Sequence, residues 1–372
     1  MSYRKFSCGA TQEMLIYIPL NNLNRTNNER WSKYSASDTA KRHLIAMIAT
    51  LAKHFARKNF LVIGRAGMDL YPDPPGTSIE NATRFVSALG GSSANIAAAL
   101  TRQGMKASLV TRVSDDSVGR FCLNQLDHYG IDRTHVKSIG GEYRNSLALA
   151  ETRIENHQSI IYRNGAADFQ MNMVDVEAID YGQYSALITT GTVLAAEPSR
   201  AAAFRAFELA QKVDLPLVFD VDYRPYSWPT PQIAADTYSR AAMLCDVIIG
   251  NEEEFGFMAG SQDGGLAKAR SLLNARAQIV VYKMGSKGAI TITRQGEFQT
   301  GIYKTKALKP TGAGDSFMGG FLAGLANGHS LRDAVLRGSA SAAIVVSKVG
   351  CAPAMPSTAE LETFLALQPE PV

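Results

Sequence analysis

From Asn59 onward the chain alternates short apolar runs of strand length with longer stretches of helical spacing. Phe60-Leu-Val-Ile-Gly64 is a continuous apolar run closed by glycine, the form of a strand buried on both faces. Runs at 107–113, 185–191, 216–221, 246–250 and 278–283 read the same way, and helical stretches at 93–103, 199–212 and 316–326 lie between several of them. Strands alternating with helices predict a parallel sheet covered by helices. Two runs break the pattern: 146–154 and 158–163 flank Asn156-His157 and predict a hairpin. With the strand near 60–72, which runs into Asp69 and a proline-rich turn, they predict a small β lid over an α/β body. No internal repeat is visible.

Upstream, residues 1–40 show neither period and are rich in Asn, Arg, Ser and Tyr, while 44–52 are apolar and helix-like. This apolar stretch starts far beyond the short basic start of a signal peptide, so the expectation is an N-terminal extension over 1–57, with Met47 a candidate start. Charge sharpens the boundary. Residues 1–57 hold nine Lys and Arg against Glu13, Glu29 and Asp38, a net +6; the chain as a whole is +4, so the other 315 residues carry −2. A body without positive excess lacks the electrostatic footprint of a nucleic-acid binder. No apolar run reaches the roughly 18 residues of a membrane span. Cys8, Cys122, Cys245 and Cys351 are far apart, which argues against a disulfide framework or a zinc cluster and for a reducing cytoplasm. At 372 residues and 46% hydrophobic, the chain can bury a full core without such staples.

Five segments carry candidate chemistry. Lys309-Pro-Thr-Gly-Ala-Gly-Asp-Ser-Phe317 places a Gly-Ala-Gly turn at the start of a helix crowded with small residues. Gly312 and Gly314 permit close approach of a ligand, and the free N–H groups of a helix start favour an anion. Asp315 at that start reads either as a helix cap or as a general base beside a phosphate. Gly319, Gly320, Ala323 and Gly324 suit tight packing of that helix against the sheet. Gly90-Gly-Ser-Ser-Ala-Asn95 reads as loop punctuation or as a ligand loop. Asn251-Glu-Glu-Glu254 follows a strand, where open α/β sheets bind ligands, but equally reads as an acidic first helical turn. Lys283-Met-Gly285-Ser286-Lys-Gly288 reads alone as a plain hairpin, and Asp220-Val-Asp-Tyr-Arg224 as polar residues leaving a strand end. A Walker-type G-x-x-x-x-G-K-[ST], a G-x-G-x-x-G, an H-E-x-x-H and a G-x-S-x-G are all absent, which excludes P-loop, Rossmann, zincin and nucleophile-elbow readings.

Taken together, these segments resemble the ribokinase-like sugar kinases of the phosphofructokinase-B type, in the right chain order and over about residues 59–358. The Gly-Ala-Gly-Asp segment is highly specific to that family; the double-Gly segment is looser, with Ser93 and Ser114 at positions where small residues or Gly are usual. The resemblance implies a three-layer ribokinase-like α/β fold, a mostly parallel sheet flanked by helices, with a small β lid and a kinase domain over 58–372. It implies ATP-dependent transfer to a sugar hydroxyl, with Asp315 as base and the N–H groups of Gly312, Ala313 and Gly314 holding charge on the transferred group. Asn251 and Glu254 would organise Mg²⁺ through water, as the resemblance implies. Lys283, Gly285, Ser286, Gly288 and Thr311 would lie along the nucleotide, and Asp69, Gly90, Gly91 and Asn95 would bind the sugar under the closing hairpin. A homodimer through the lid is a further expectation.

Lys309-Pro310 replaces the Asp-Thr usual before Gly-Ala-Gly-Asp, which puts the family's monovalent-cation site in doubt. With Gly64-Arg-Ala-Gly-Met-Asp-Leu-Tyr71 and Asp220-Val-Asp-Tyr-Arg-Pro-Tyr-Ser-Trp228, it resembles the branch that phosphorylates 5-dehydro-2-deoxygluconate in inositol breakdown. Such a keto-acid carries a carboxylate. Arg163, in Tyr162-Arg-Asn-Gly, and Arg224 are candidates to pair with it, Tyr162 lying alongside, though either arginine could serve a surface ion pair. Two alternatives stay open: 2-dehydro-3-deoxygluconate as substrate, and a nucleotide-binding regulator that keeps the fold without turnover.

Overall fold

The computed structural model describes residues 51–371, so the expectations for the leader up to Thr50 lie outside the described residues. The apolar runs form the strands β1 (Asn59–Ile63), β4 (Lys106–Ser114), β8 (Ala186–Thr190), β9 (Leu217–Asp220), β10 (Val247–Asn251) and β11 (Ile279–Lys283). All six pair in parallel, joined by β5 (Val136–Ile139) at one edge and by antiparallel β12 (Ala289–Thr293) and β13 (Gly296–Thr300) at the other. The order is β13-β12-β11-β10-β9-β8-β1-β4-β5. Strands such as β8 and β9 are buried at every position, as a sheet covered on both faces demands.

The covering helices include α1 (Ser92–Arg102), α2 (Ser117–His128), α3 (Met173–Glu177), α4 (Ser199–Lys212), α5 (Pro231–Met243), α6 (Glu252–Ala259), α7 (Gly265–Ser271), α8 (Ala313–Ala326), α9 (Leu331–Val346) and α10 (Thr358–Leu367). One core packs α1, α8 and α9 against one face of the sheet; the other packs α4 and α5 against the opposite face. Helical residues 51–55 join the first core through Leu51 and Phe55, the latter 6.1 Å from the Phe60 ring, so packing begins upstream of residue 58. Among the described residues no helix is long and apolar enough to cross a membrane.

A second sheet runs β3-β2-β6-β7, from β2 (Gly67–Pro72), β3 (Phe85–Gly90), β6 (Leu147–Ala150) and β7 (Ser159–Tyr162). The hairpin expected at 146–163 is β6 and β7. The expected lid strand near 60–72 needs correction. Residues 59–63 belong to the central sheet, between β4 and β8, and only 67–72 enter the small sheet. The apolar run is long enough for one buried strand, and the turn Gly64–Ala66 separates the two. Strand β3 carries no clear period-2 signal, since its first three residues are exposed and its last three buried.

The glycines of α8 work against helices rather than strands, which corrects the expected contact. A side chain on Gly319 would overlap Ala99 of α1, and one on Gly320 would overlap Ser341 of α9. On Gly324 a Cβ would sit 3.0 Å from the Ala334 Cα. Three helices therefore lie nearly backbone to backbone. Gly319→Val is expected to cost about 1–3 kcal/mol or more through overpacking. Gly140→Ala, in open space, should change stability by less than about 0.5 kcal/mol. Denaturant unfolding of both variants checks this.

Candidate active site

The carboxyl ends of β1, β9, β10 and β11 open into a cavity of about 1010 Å³, roofed by the small sheet and floored by the start of α8. This is where a parallel sheet whose order switches at β1 places its ligand. Gly312 takes the left-handed conformation (φ 83°) and no side chain caps α8, so its first N–H groups face the cavity. Asp315 sits in the first turn but does not cap the helix; it instead accepts a 2.8 Å hydrogen bond from Asn95 Nδ2. The choice left open by spacing, cap or cavity group, is thereby decided for the cavity. Burial, reinforced by the charge of Asp222, pushes the Asp315 carboxyl up to about 7.

Behind Asp315 lie more carboxylates than the sequence suggested. Asp220 ends β9 buried in the cavity wall; burial pushes its carboxyl well above the usual range, Lys283 offsets part of this, and Asp222, Glu254 and Asp315 add to it. Asp222 adopts a left-handed backbone (φ 40°). Burial opposes its ionisation, but Arg224 at 2.7 Å and the Ser92 hydroxyl at 2.6 Å outweigh that and hold it below the usual carboxylate range. Asn251 and Glu254 form a capping box on α6: Asn251 Oδ1 accepts from the Glu254 N–H at 2.9 Å, and Glu254 Oε2 from the Asn251 N–H at 2.7 Å. The acidic-first-turn reading thus holds for these two, and both still line the cavity. Among the described residues no three His, Cys, Asp or Glu side chains converge to cage a metal directly.

At the other end, Asp69 accepts a 3.1 Å hydrogen bond from the Tyr71 hydroxyl. Asp69 Oδ1, Asn95 Oδ1 and Thr311 Oγ1 are buried with no hydrogen-bond partner, and all three residues line the cavity. Unpaired buried polar atoms are costly unless a ligand pairs them. Gly90 and Gly91 do not line the cavity. A side chain on Gly90 would overlap the Asp69 carboxylate, and one on Gly91 would overlap the Arg65 carbonyl, so these glycines seat the cavity-lining residues instead. Lys283, Gly285, Gly288, Gly312, Ala313, Gly314, Arg163 and Arg224 all line the cavity. Lys283 Nζ lies 3.4 Å from where a Gly314 Cβ would stand. Ser286 does not reach it, and Tyr162 is 59% exposed on the outer face of β7. Alternation along β7 turns Ser159, Ile161 and Arg163 inward and Tyr162 outward, which removes Tyr162 from the expected substrate contacts.

Three cavity residues, Arg65, Asp220 and Asp222, escaped the sequence reading as individual groups, as did Lys309, which lies outside the cavity lining. The first three lie at strand ends within quoted segments, and that position was their available signal. Lys309 is fully buried, and its Nζ donates to the Thr311 carbonyl at 2.6 Å. Its ammonium thus sits against the turn that leads into α8. The two unusual serines are also accounted for. Ser93 Oγ bonds to Thr190 (2.9 Å) and the Ile63 carbonyl (3.1 Å), and Ser114 Oγ to Asp116 and Asn145, closing loops under the cavity.

Comparison with known proteins agrees with this geometry. Residues 57–358 match the model of the pfkB family of carbohydrate kinases. The chain is 38% identical over 312 residues to the 5-dehydro-2-deoxygluconokinase of Geobacillus kaustophilus, covering 82% of this chain and 93% of that one. It is 38% identical over 311 residues to the enzyme of that name from Photobacterium profundum, covering 82% and 94%. Among solved structures it is similar to the PfkB protein of Polaromonas sp. JS666 (27% identity, TM-score 0.70, covering 82% of this chain and 99% of that one). It is also similar to a fructokinase double mutant from Vibrio cholerae O395 with fructose, ADP and potassium ion bound (27% identity, TM-score 0.73, 83% and 98%). The reading of a regulator without turnover gives way to that of an enzyme. The chain belongs to the pfkB family and is a carbohydrate kinase.

Proposed function

We propose that this kinase transfers the terminal phosphoryl group of ATP to the 6-hydroxyl of 5-dehydro-2-deoxy-D-gluconate, a step of myo-inositol catabolism. The observation that carries the proposal is Asp315, a carboxyl near neutrality held by Asn95 at the uncapped start of α8, in one cavity with Asp69. Relatives covered over more than nine-tenths of their length bear the name of that activity, which supports the choice of substrate.

Each group has a physical task in this reading. Asp315 accepts the proton of the attacking alcohol as the oxygen–phosphorus bond forms and ADP leaves. The N–H groups of Gly312, Ala313 and Gly314, with Lys283 beside them, hold the charge on the transferred group. Asp69 Oδ1 and Asn95 Oδ1, both without partners, accept substrate hydroxyls. Lys283, Gly285, Gly288 and Thr311 flank the nucleotide, and the small sheet shuts water out above.

The residues present fit Mg²⁺ held through water. Asn251 Oδ1 and both Glu254 oxygens already accept backbone N–H groups, the second Glu254 oxygen from Tyr223 at 3.2 Å. Asp220 adds a buried carboxylate with no cation within 4 Å among the described residues. Acidic, partly committed groups of this kind suit a hydrated ion bound mainly by phosphate oxygens. When bound, the ion supplies charge neutralisation on the phosphates.

Three measurements bear on this reading. Asp315→Asn is expected to lower kcat by about 10²–10⁴-fold without weakening ATP binding; near-normal turnover would leave Asp315 a positioning residue only. Only the ionised form of Asp315 accepts a proton, so kcat/KM should be flat above its value near 7 and fall about tenfold per pH unit below it; Asp222, held below the usual carboxylate range, stays ionised across that window. Finally, kcat/KM should be higher for 5-dehydro-2-deoxygluconate than for 2-dehydro-3-deoxygluconate. The reverse order would assign the second keto-acid.

A further inference from the structure

Three arginines line the cavity, and two of them are already paired. The Arg163 guanidinium pairs through Nε and Nη2 with Asp168, donates from Nη1 to the Thr192 carbonyl at 2.9 Å, and lies 3.9 Å from the centre of the Phe169 ring. Arg224 pairs with Asp222 at 2.7 Å and donates to its neighbour Tyr223's carbonyl at 3.0 Å. The sequence alone left a surface ion pair open for both; the Arg163–Asp168 pair is instead buried, and Arg224, itself part exposed, pairs with a buried Asp222.

Arg65 differs. It is only 7% exposed, yet its one hydrogen bond among the described residues runs from Nη1 to Ser146 Oγ at 3.0 Å, and no carboxylate lies within 4 Å. Asp69, the acid whose ionisation Arg65 favours, is turned to Tyr71 instead. Neither Nε nor Nη2 is among the buried nitrogens left without a partner, so both open on the cavity. A guanidinium held this rigidly, with most of its five donors unused by the protein and turned to a cavity, offers a ready partner to an anion. The backbone keeps it there. The Arg65 carbonyl accepts the Ala94 N–H at 3.2 Å, Gly91 leaves room for that carbonyl, and a Cβ on Gly67 would stand 2.8 Å from Nη1. Two glycines and one serine thus fix a planar fork in the cavity wall.

We infer that Arg65 receives the carboxylate of the substrate and so selects sugar acids over neutral sugars. The inference rests on the keto-acid reading above and names the residue that enforces it. A bidentate guanidinium–carboxylate contact here anchors one end of the open-chain acid, while Asp69 and Asn95 take its hydroxyls.

The test compares 5-dehydro-2-deoxygluconate with its neutral amide on the wild type, Arg65→Met, Arg65→Lys and Arg224→Met, each checked for native circular dichroism. Arg65→Met should lower the acid-to-amide ratio of kcat/KM by about 10- to 150-fold, mostly through KM for the acid, as expected for a lost charged hydrogen bond. Arg65→Lys, which keeps charge without the fork, should fall between and covers the case of a misfolded Met variant. A merely structural role would lower acid and amide together, leave the ratio unchanged and overturn the inference. A ratio that collapses in Arg224→Met and survives in Arg65→Met or Arg65→Lys also overturns it, while leaving the keto-acid reading intact. A wild type indifferent between acid and amide removes the acid substrate itself, and the inference with it.

Discussion

Helix α8 starts without a side chain to satisfy its first N–H groups, and the active site is arranged around that deficit. A left-handed Gly312 turns the chain into the helix so abruptly that no cap fits, and the exposed donors face the cavity. An anion is the natural partner for such an end. The same turn aims Asp315 at the cavity rather than along its own helix, where Asn95 of α1 holds it. The close contact between Gly319 and Ala99 sets α1 and α8 in register, so the packing of two helices fixes the distance between Asn95 and Asp315.

Charge in the cavity is unevenly compensated, and the imbalance has a direction. Asp222 is matched by Arg224 and Asp168 by Arg163, so those pairs are internally closed. Asp220, buried, and Asp315, half-buried, lack such a partner, and both have their carboxyls raised by desolvation. Removing them from water raises the free energy of the ionised forms, and bringing in positive charge restores it. In the same cavity Arg65 is the mirror case, a cation with no carboxylate within 4 Å among the described residues.

Lys309 shows how a departure from the family pattern is absorbed. Burial lowers the pKa of its ammonium, while Cys351, Asp315 and Asp69 act in the opposite sense. Its Nζ bonds to the Thr311 carbonyl, directly before the turn that opens α8. A fixed side-chain charge is therefore present beside that turn. Gly90 and Gly91 make a related point, since they are needed for what they leave unfilled beneath Asp69 and Arg65.

By itself the sequence determined the parallel α/β architecture, because fully buried strands must be continuous apolar runs and these are readable one by one. It also determined the neighbourhood of Asp315, since Gly-Ala-Gly before a helix constrains the backbone locally. Tertiary structure alone decided the rest. It assigned residues 59–63 to the large sheet, because strand membership depends on pairing partners rather than on the run itself. It turned Tyr162 outward, since the face of a strand is set by register, and left Arg65 rather than Arg163 or Arg224 unpaired. Arg163 and Arg224 have carboxylates close by in the chain, Asp168 five residues on and Asp222 two residues back, but only the folded geometry shows that these pairs close and that no carboxylate meets Arg65 among the described residues. Local patterning does not tell whether a neighbouring pair closes or what distant segments bring to a third arginine, and those distances determine which charge is left unpaired.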